Sequence, residues 1–323
     1  MRTVRTPTVD DIAAAAVVVA QHLSPTPVVR APALGAGVVL KLETMQPTGS
    51  FKVRGALAAV ANAVERDASQ HLVTASAGNH GLGVAYAATA FAATATVVVP
   101  ENASAAKVAA LSKYAVTLVA KGASYDEAEA YALTLADDGS RFVSPYNDPD
   151  TIAGQGSIAL ELFDQVEDLR TIVVPIGGGG LISGVALAAT MRPGLRVVGV
   201  EAAASPAVLA ALNGLDTIDV QPTLADGLAG NVEAGSVTVD LVRRYVDDIV
   251  SVSEDEIIDA IRFLVREHGL VVEGSGAVGV AALRNGHVDV DAGTAAGTGS
   301  TAVLLTGRNI AASTLARLLA DGT

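Results

Sequence analysis

Short runs of aliphatic and β-branched residues alternate along the chain with longer alanine-rich stretches. The runs at 38–42, 71–75, 94–99, 116–120, 171–176, 197–201 and 301–305 are of strand length and bounded by turn-forming residues. The stretches at 83–91, 105–111 and 125–135 are rich in alanine and read as helices. Strand alternating with helix predicts an α/β fold with mainly parallel sheets. There is no internal repeat, low-complexity tail or long linker. The Pro/Asn/Asp cluster at 144–150 is the best place for the chain to cross between domains.

The length of 323 residues suggests two domains, and 50% hydrophobic with 17% charged residues excludes a disordered chain. No apolar run reaches the roughly 18 residues a membrane span needs. The stretch at 13–20 lies between Asp10-Asp11 and Gln21-His22 and reads as helix, not signal peptide. A soluble cytoplasmic protein is the expectation. The net charge of −13 argues against nucleic acid or an anionic membrane as partner. Any phosphate must be held by local geometry. The absence of cysteine removes disulfides, zinc–thiolate sites and thiol catalysis. With no Trp and few Phe, the core must be built from Ala, Val and Leu. Only five lysines occur, at 41, 52, 107, 113 and 121, so a lysine-dependent chemistry has few candidates.

Four segments carry the chemistry. In the first, a strand ends in the turn Gln46-Pro47-Thr48-Gly49-Ser50, and a helix is expected from about Ser50, placing Lys52 in its first turn. The positive helix end disfavours an ammonium, and a Schiff base needs the neutral amine. In the second, Ser76-Ala77-Gly78-Asn79-His80 follows a strand and opens a helix, a place where backbone N–H groups receive a carboxylate. In the third, Gly177, Gly178, Gly179 and Gly180 run from a strand into a helix beginning near Leu181. That is an anion cradle without the Walker lysine or the dinucleotide spacing. In the fourth, the strand at 301–305 delivers Thr306 at its C-terminal end, before Gly307-Arg308-Asn309. Taken singly, each admits a plain structural reading: a solvated lysine, a glycine turn, a satisfied histidine.

Together, and in this order, they resemble the fold-type II pyridoxal-phosphate (PLP) enzymes, the serine/threonine dehydratase and serine racemase branch. Pro47 to Ala56 looks like that family's lysine motif. Lys52-Val53-Arg54 stands where sulfhydrylases have Lys-Asp-Arg. Ala153-Gly154-Gln155-Gly156 and Ala225-Asp226-Gly227 are also similar to family stretches. The resemblance implies a tryptophan synthase β-like fold of two open twisted α/β domains with the cofactor in the cleft: a large domain of 1–61 and 148–323 and a small mobile domain of 62–147. It implies that Lys52 holds PLP and removes the substrate's Cα proton. Phe51 would pack beside the ring and Asn79 meet the 3′-oxygen. Gly177, Gly178, Gly179, Gly180 and Leu181 would hold the phosphate, and Thr306 meet the ring nitrogen. Ser76, Ala77, Gly78, Asn79 and His80 would surround the carboxylate of an amino-acid substrate, and Glu201 would serve a divalent cation, magnesium or calcium. A homodimer without the regulatory domain of biosynthetic threonine deaminases is implied as well.

Three departures refine this. Racemases of the branch carry serine where Ala77 stands, so dehydration of a β-hydroxy amino acid such as threonine or serine is expected over racemisation. The acid expected after Glu201 falls at Ala207. Arg308 replaces a small residue, which leaves open a catalytically silent PLP-binding homologue.

Overall fold

The computed structural model describes residues 4–137, 139–289 and 299–320. The chain runs α1 (Val9–His22), β1 (Val28–Arg30), β2 (Val38–Leu42), α2 (Lys52–Arg66), β3 (Leu72–Ala75), α3 (Asn79–Ala90), β4 (Ala95–Val99), α4 (Ala105–Leu111), β5 (Thr117–Ala120), α5 (Tyr125–Asp137), β6 (Arg141–Phe142), α6 (Pro149–Gln165), β7 (Leu169–Pro175), α7 (Gly180–Ala189), β8 (Arg196–Ala202), α8 (Ala207–Leu212), α9 (Val237–Tyr245), β9 (Asp248–Val252), α10 (Glu254–His268), α11 (Gly274–Arg284), β10 (Ser300–Leu305) and α12 (Ala312–Ala320).

Two sheets form. One has six strands in the order β1-β2-β10-β7-β8-β9, and the other four in the order β5-β4-β3-β6. The smaller sheet draws its strands only from the stretch between Leu72 and Phe142, inside the path of the larger. Every pairing is parallel except that of edge strand β1 with β2. The expected small-domain limit at 61–62 falls within α2, which continues unbroken to Arg66. At the other expected limit, the Asp148 side chain caps α6 by accepting from the N–H groups of Asp150 and Thr151.

Helices cover both faces of the large sheet, so its strands are buried on both sides. Val38, Leu40 and Leu42 of β2 and Val303 and Leu305 of β10 pack on one face. The intervening Val39, Ala302 and Leu304 pack on the other. This period-two division of continuous apolar runs explains their legibility as strands. Because β2, β10, β7 and β8 run parallel, their C-terminal ends share one edge. The Lys52 turn, the glycine run and Thr306 follow β2, β7 and β10, so that edge collects all three. Among the described residues no helix is long and apolar enough to cross a membrane.

Candidate active site

Lys52 is the first residue of α2. The turn before it is pinned from beneath: Gly49 has φ 76°, Ser50 bridges to Gly307, and the Phe51 N–H bonds the Thr306 carbonyl at 3.0 Å. The helix therefore begins two residues later than expected, because Ser50 is held in extended pairing. Lys52 Nζ donates to the Pro145 carbonyl at 2.9 Å and lies 5.2 Å from the Phe51 ring centroid. Burial lowers its pKa to about 8, against the opposing charge of Glu273. Desolvation is thus the leading cause of the depression that the helix-end argument anticipated.

The glycine run leaves β7 and turns into α7 through Gly179, whose φ of 83° is left-handed. The first backbone bond closing this end joins Ser183 N–H to Gly179 O. The N–H groups of Gly180, Leu181 and Ile182 therefore have no helical carbonyl to bond. A Cβ on Gly178 would come within 2.4 Å of the Tyr146 ring, and one on Gly180 within 2.7 Å of Tyr146 Cα. Tyr146 is thus packed against the loop, with its hydroxyl accepting from Glu233 N–H at 2.9 Å. Thr238 Oγ1 donates to Gly178 O at 2.9 Å. Pro145 touches Lys52 and Tyr146 touches the glycines, so this short segment joins the lysine to the anion cradle.

The loop from β3 to α3 carries Ser76, Ala77 and Gly78, with Asn79 opening the helix. Ser76 Oγ accepts from Gly78 N–H at 3.2 Å and keeps its own hydrogen. A Cβ on Gly78 would meet nothing within 4 Å, so the loop has open space beside it. The first helical bond runs from Leu82 N–H to Gly78 O, which leaves the amides of Asn79, His80 and Gly81 at a helix start. His80 differs from the expectation in its side chain: the buried imidazole bonds Val143 O through Nε2 at 3.0 Å. Burial first, then the charge of Lys52, lowers its pKa to about 3, so the ring is neutral and Nε2 carries the hydrogen. It can meet a carboxylate only through its backbone.

Asn79 Nδ2 donates to Glu273 Oε1 at 2.7 Å, and its Oδ1 accepts from Asn309 Nδ2 at 2.6 Å. Asn309 also bonds the Thr48 carbonyl at 2.9 Å, and its own N–H donates to Glu273 Oε2 at 3.1 Å. Glu273, at the start of α11, was not anticipated from sequence. It precedes a Gly-Ser-Gly stretch remote from the other motifs, and only the packing of α11 brings it to Asn79 and Gly307. Burial, with the charge of Asp226, raises its pKa to about 7. Thr306 is buried at the end of β10. Arg308 is exposed and holds the turn through its N–H to Gly49 O at 2.9 Å. Its side chain lines a cavity of about 210 Å³ with Lys113 and Tyr114.

Glu201 lies at the C-terminal end of β8, fully buried, with Oε1 and Oε2 accepting from the N–H groups of Val208 and Leu209 at 2.8 and 3.2 Å. A cation there would have to compete with those two amides. Among the described residues no group of three His, Cys, Asp or Glu side chains is placed to hold a metal.

Arg54, two residues beyond Lys52 and so on the other side of α2, is fully buried between two carboxylates. It grips Glu43 at 2.8 Å through both Nε and an Nη, and Glu161 at 2.6 and 2.9 Å. Lys41 completes the cluster at 2.5 Å from Glu161. These four residues tie the end of β2, the first turn of α2 and α6 together.

The residues present fit a cofactor with an aldehyde at one end and a phosphate at the other. A depressed-pKa amine and a helix-start amide cradle are joined through Pro145-Tyr146, and Asn79 offers an amide side chain with a spare Nδ2 hydrogen. Comparison with known proteins agrees. The family described as "Pyridoxal-phosphate dependent enzyme" matches residues 19–307. An L-threonine ammonia-lyase of Thermotoga maritima is 41% identical over 292 residues, covering 89% of this chain and 71% of that one. The structure of maize serine racemase superposes with a TM-score of 0.87 at 31% identity, covering 98% of both chains. Threonine deaminase isoform 2 from Solanum lycopersicum gives 0.87 at 28% identity, covering 100% of this chain and 97% of that one.

Proposed function

The chain belongs to the pyridoxal-phosphate dependent enzymes, and from that membership we propose a residue-level account of its reaction, the β-elimination of a β-hydroxy amino acid such as L-threonine or L-serine to a 2-oxo acid and ammonia. It is a PLP-dependent ammonia-lyase of fold-type II. The observation that carries the residue assignment is Lys52: a helix-start amine whose pKa burial lowers to about 8, linked to the glycine cradle through Pro145-Tyr146.

Lys52 is the residue that would bond the cofactor's aldehyde carbon. The amides of Gly177 to Leu181 would hold its phosphate, Phe51 would pack beside the ring, and Asn79 Nδ2 would meet the 3′-oxygen. Thr306 offers the ring nitrogen a neutral hydroxyl. When bound, the cofactor supplies an electron sink for charge developing at Cα. The rest falls to the chain. The α3 start, with Ser76 Oγ, receives the substrate carboxylate and sets which bond at Cα is presented. Lys52 Nζ takes the Cα proton, for which its pKa near 8 is suited at neutral pH. Glu273 keeps Asn79 oriented. The β-hydroxyl leaves as water, taking up the equivalent of the proton that Lys52 removed from Cα. The released enamine takes up water to give the 2-oxo acid and ammonia, so water lost and water gained balance.

Ala77 favours elimination over racemisation, since a methyl group can return no proton to the opposite face. The likeness to maize serine racemase supports the second reading, racemisation. Measuring 2-oxo acid release beside chiral analysis of recovered amino acid separates the two, and a silent homologue would do neither. The elimination reading fails if amino-acid enantiomer forms and 2-oxo acid does not. Assembly as a homodimer, a cytoplasmic location, a divalent cation at Glu201 and closure of a small domain at 62–147 over the substrate belong to this proposal as family expectations.

A further inference from the structure

Three helices begin at the site: α2 at Lys52, α3 at Asn79 and α7 at Gly180. None of the proposed roles explains the Ala153-Gly154-Gln155-Gly156 stretch, which lies within α6 and is buried. Helix α6 passes between α2 and α7, and at both crossings glycine meets glycine. A Cβ on Gly154 would lie 2.6 Å from both Arg54 O and Gly55 Cα. One on Gly55 would lie 2.4 Å from Gln155 Nε2 and 2.7 Å from Thr151 O. On the other side, a Cβ on Gly184 would lie 2.3 Å from Ile152 O and 2.7 Å from Gly156 N, and one on Gly156 would lie 2.9 Å from Gly184 O. The obstacles are mostly backbone atoms, so a side chain cannot be accommodated by a rotamer change. The helices themselves must part, by roughly 1 Å to regain ordinary van der Waals separation. Polar pins on the same helix fix its rotation: Ser157 Oγ accepts from Arg54 Nη1 at 3.2 Å, and Glu161 accepts from Nη1 and Nη2 at 2.6 and 2.9 Å.

We propose that α6 is the spacer that sets the distance between Lys52 and the phosphate cradle, with Gly55, Gly154, Gly156 and Gly184 as its positioning residues. The inference rests on the assignment of both ends of one cofactor to those two places. A ligand that spans two sites gains from their spacing, whereas one that uses a single site does not. Widening the α6–α7 crossing therefore weakens the two-ended ligand and leaves each one-ended ligand nearly as it was. A loss of general stability would weaken all of them together.

The test uses apoprotein of wild type, Gly184→Ala and Gly156→Ala. Gly279→Ala is the control, since a Cβ there meets the Val303 side chain at 2.8 Å and not α6. Three quantities are measured: affinity for PLP, capture of pyridoxal (which lacks the phosphate) as a borohydride-reducible adduct at Lys52, and affinity for inorganic phosphate. The expected result is a loss of PLP affinity of about tenfold to a hundredfold in the α6–α7 variants. Pyridoxal capture and phosphate affinity change by less than about threefold, the scatter expected of a contact not touched. Gly279→Ala lowers the melting temperature without this selectivity. Unchanged PLP affinity, or equal weakening of all three ligands, overturns the spacer. If Gly184→Ala yields no folded protein, Gly156→Ala, with its milder 2.9 Å approach, decides the same question. If wild type forms no adduct at Lys52, the parent assignment is what has failed, and the spacer falls with it.

Discussion

Glu273→Gln is the substitution whose effect can be worked out most fully. Burial lowers the pKa of Lys52 to about 8, while the charge of Glu273 pulls the other way. At pH 7 an amine of pKa about 8 is neutral in roughly one molecule in eleven, and an ordinary lysine in roughly one in 2,500, a ~200-fold difference in the form that attacks an aldehyde. Glutamine keeps an oxygen for Asn79 and removes the negative charge. The amine then loses its one stabilising charge, so its pKa falls further and the midpoint for cofactor capture moves to lower pH. Because Glu273 itself titrates near pH 7, the difference between variant and wild type is largest above that pH and fades below it. The assay is stopped-flow growth of the cofactor's visible band on mixing PLP with apoprotein from pH 5.5 to 9.5. A wild-type midpoint near that of free lysine, or an upward shift in Glu273→Gln, would refute the electrostatic reasoning.

Other perturbations give equally definite expectations. Arg54→Met leaves buried Glu43 and half-buried Glu161 with Lys41 as their remaining cation, and denaturant titration should show a loss of about 3–5 kcal/mol. Burial tends to raise the Glu43 pKa, but Arg54 outweighs it and holds it below the usual value, so in wild type this stabilisation is present above about pH 4.5 and lost as pH falls through the lowered pKa. In Arg54→Met the gap to wild type should therefore narrow on acidification, as Glu43 takes up a proton. Ala77→Ser supplies a hydroxyl beside the substrate loop, and chiral chromatography should detect enantiomer formation with 2-oxo acid release reduced; no enantiomer would remove Ala77 as the determinant. Glu201 has its pKa raised by burial to about 7, so the folded state binds its proton more readily and stability falls as pH rises from about 4.5 to 7. Thermal melts of Glu201→Gln should show that part of the pH dependence removed.

Most of the strands that sequence made legible are buried, where apolar runs such as that at 172–174 have nothing polar to interrupt them; β5, an edge strand with exposed ends, is the exception. β9 at Asp248–Val252 and β1 at Val28–Arg30 escaped because both are edge strands, part exposed and chemically mixed. The α4 limits were readable because Ser104 is a side-chain cap, accepting from Lys107 N–H. The start of α2 was misplaced because its N-cap residue, Phe51, makes no side-chain cap, and the boundary is set by the bridge of Ser50 to Gly307 some 250 residues away.

The site divides in the same way. Lys52, Asn79, the four glycines and Thr306 each follow a strand in a compact motif, so local sequence proposes them. Glu273, Asn309, Tyr146 and Pro145 act through contacts made by tertiary packing, and no local pattern distinguishes them from their neighbours. His80 shows the limit from the other side: its position in the motif is informative, but the direction of its ring, toward Val143 O, is decided by the fold. Arg308 is conspicuous in the sequence as a departure, and it lines a cavity with Lys113 and Tyr114 next to Thr48 and Asn309 of the site.

The central claim is that one lysine of five holds the cofactor. The most direct measurement is borohydride reduction of the PLP-loaded protein, followed by proteolysis and mass spectrometry of the pyridoxyl-labelled peptides. The account predicts a single stoichiometric label on Lys52, absent in Lys52→Ala. Label on Lys41, Lys107, Lys113 or Lys121, or no label in protein that binds PLP, would contradict it.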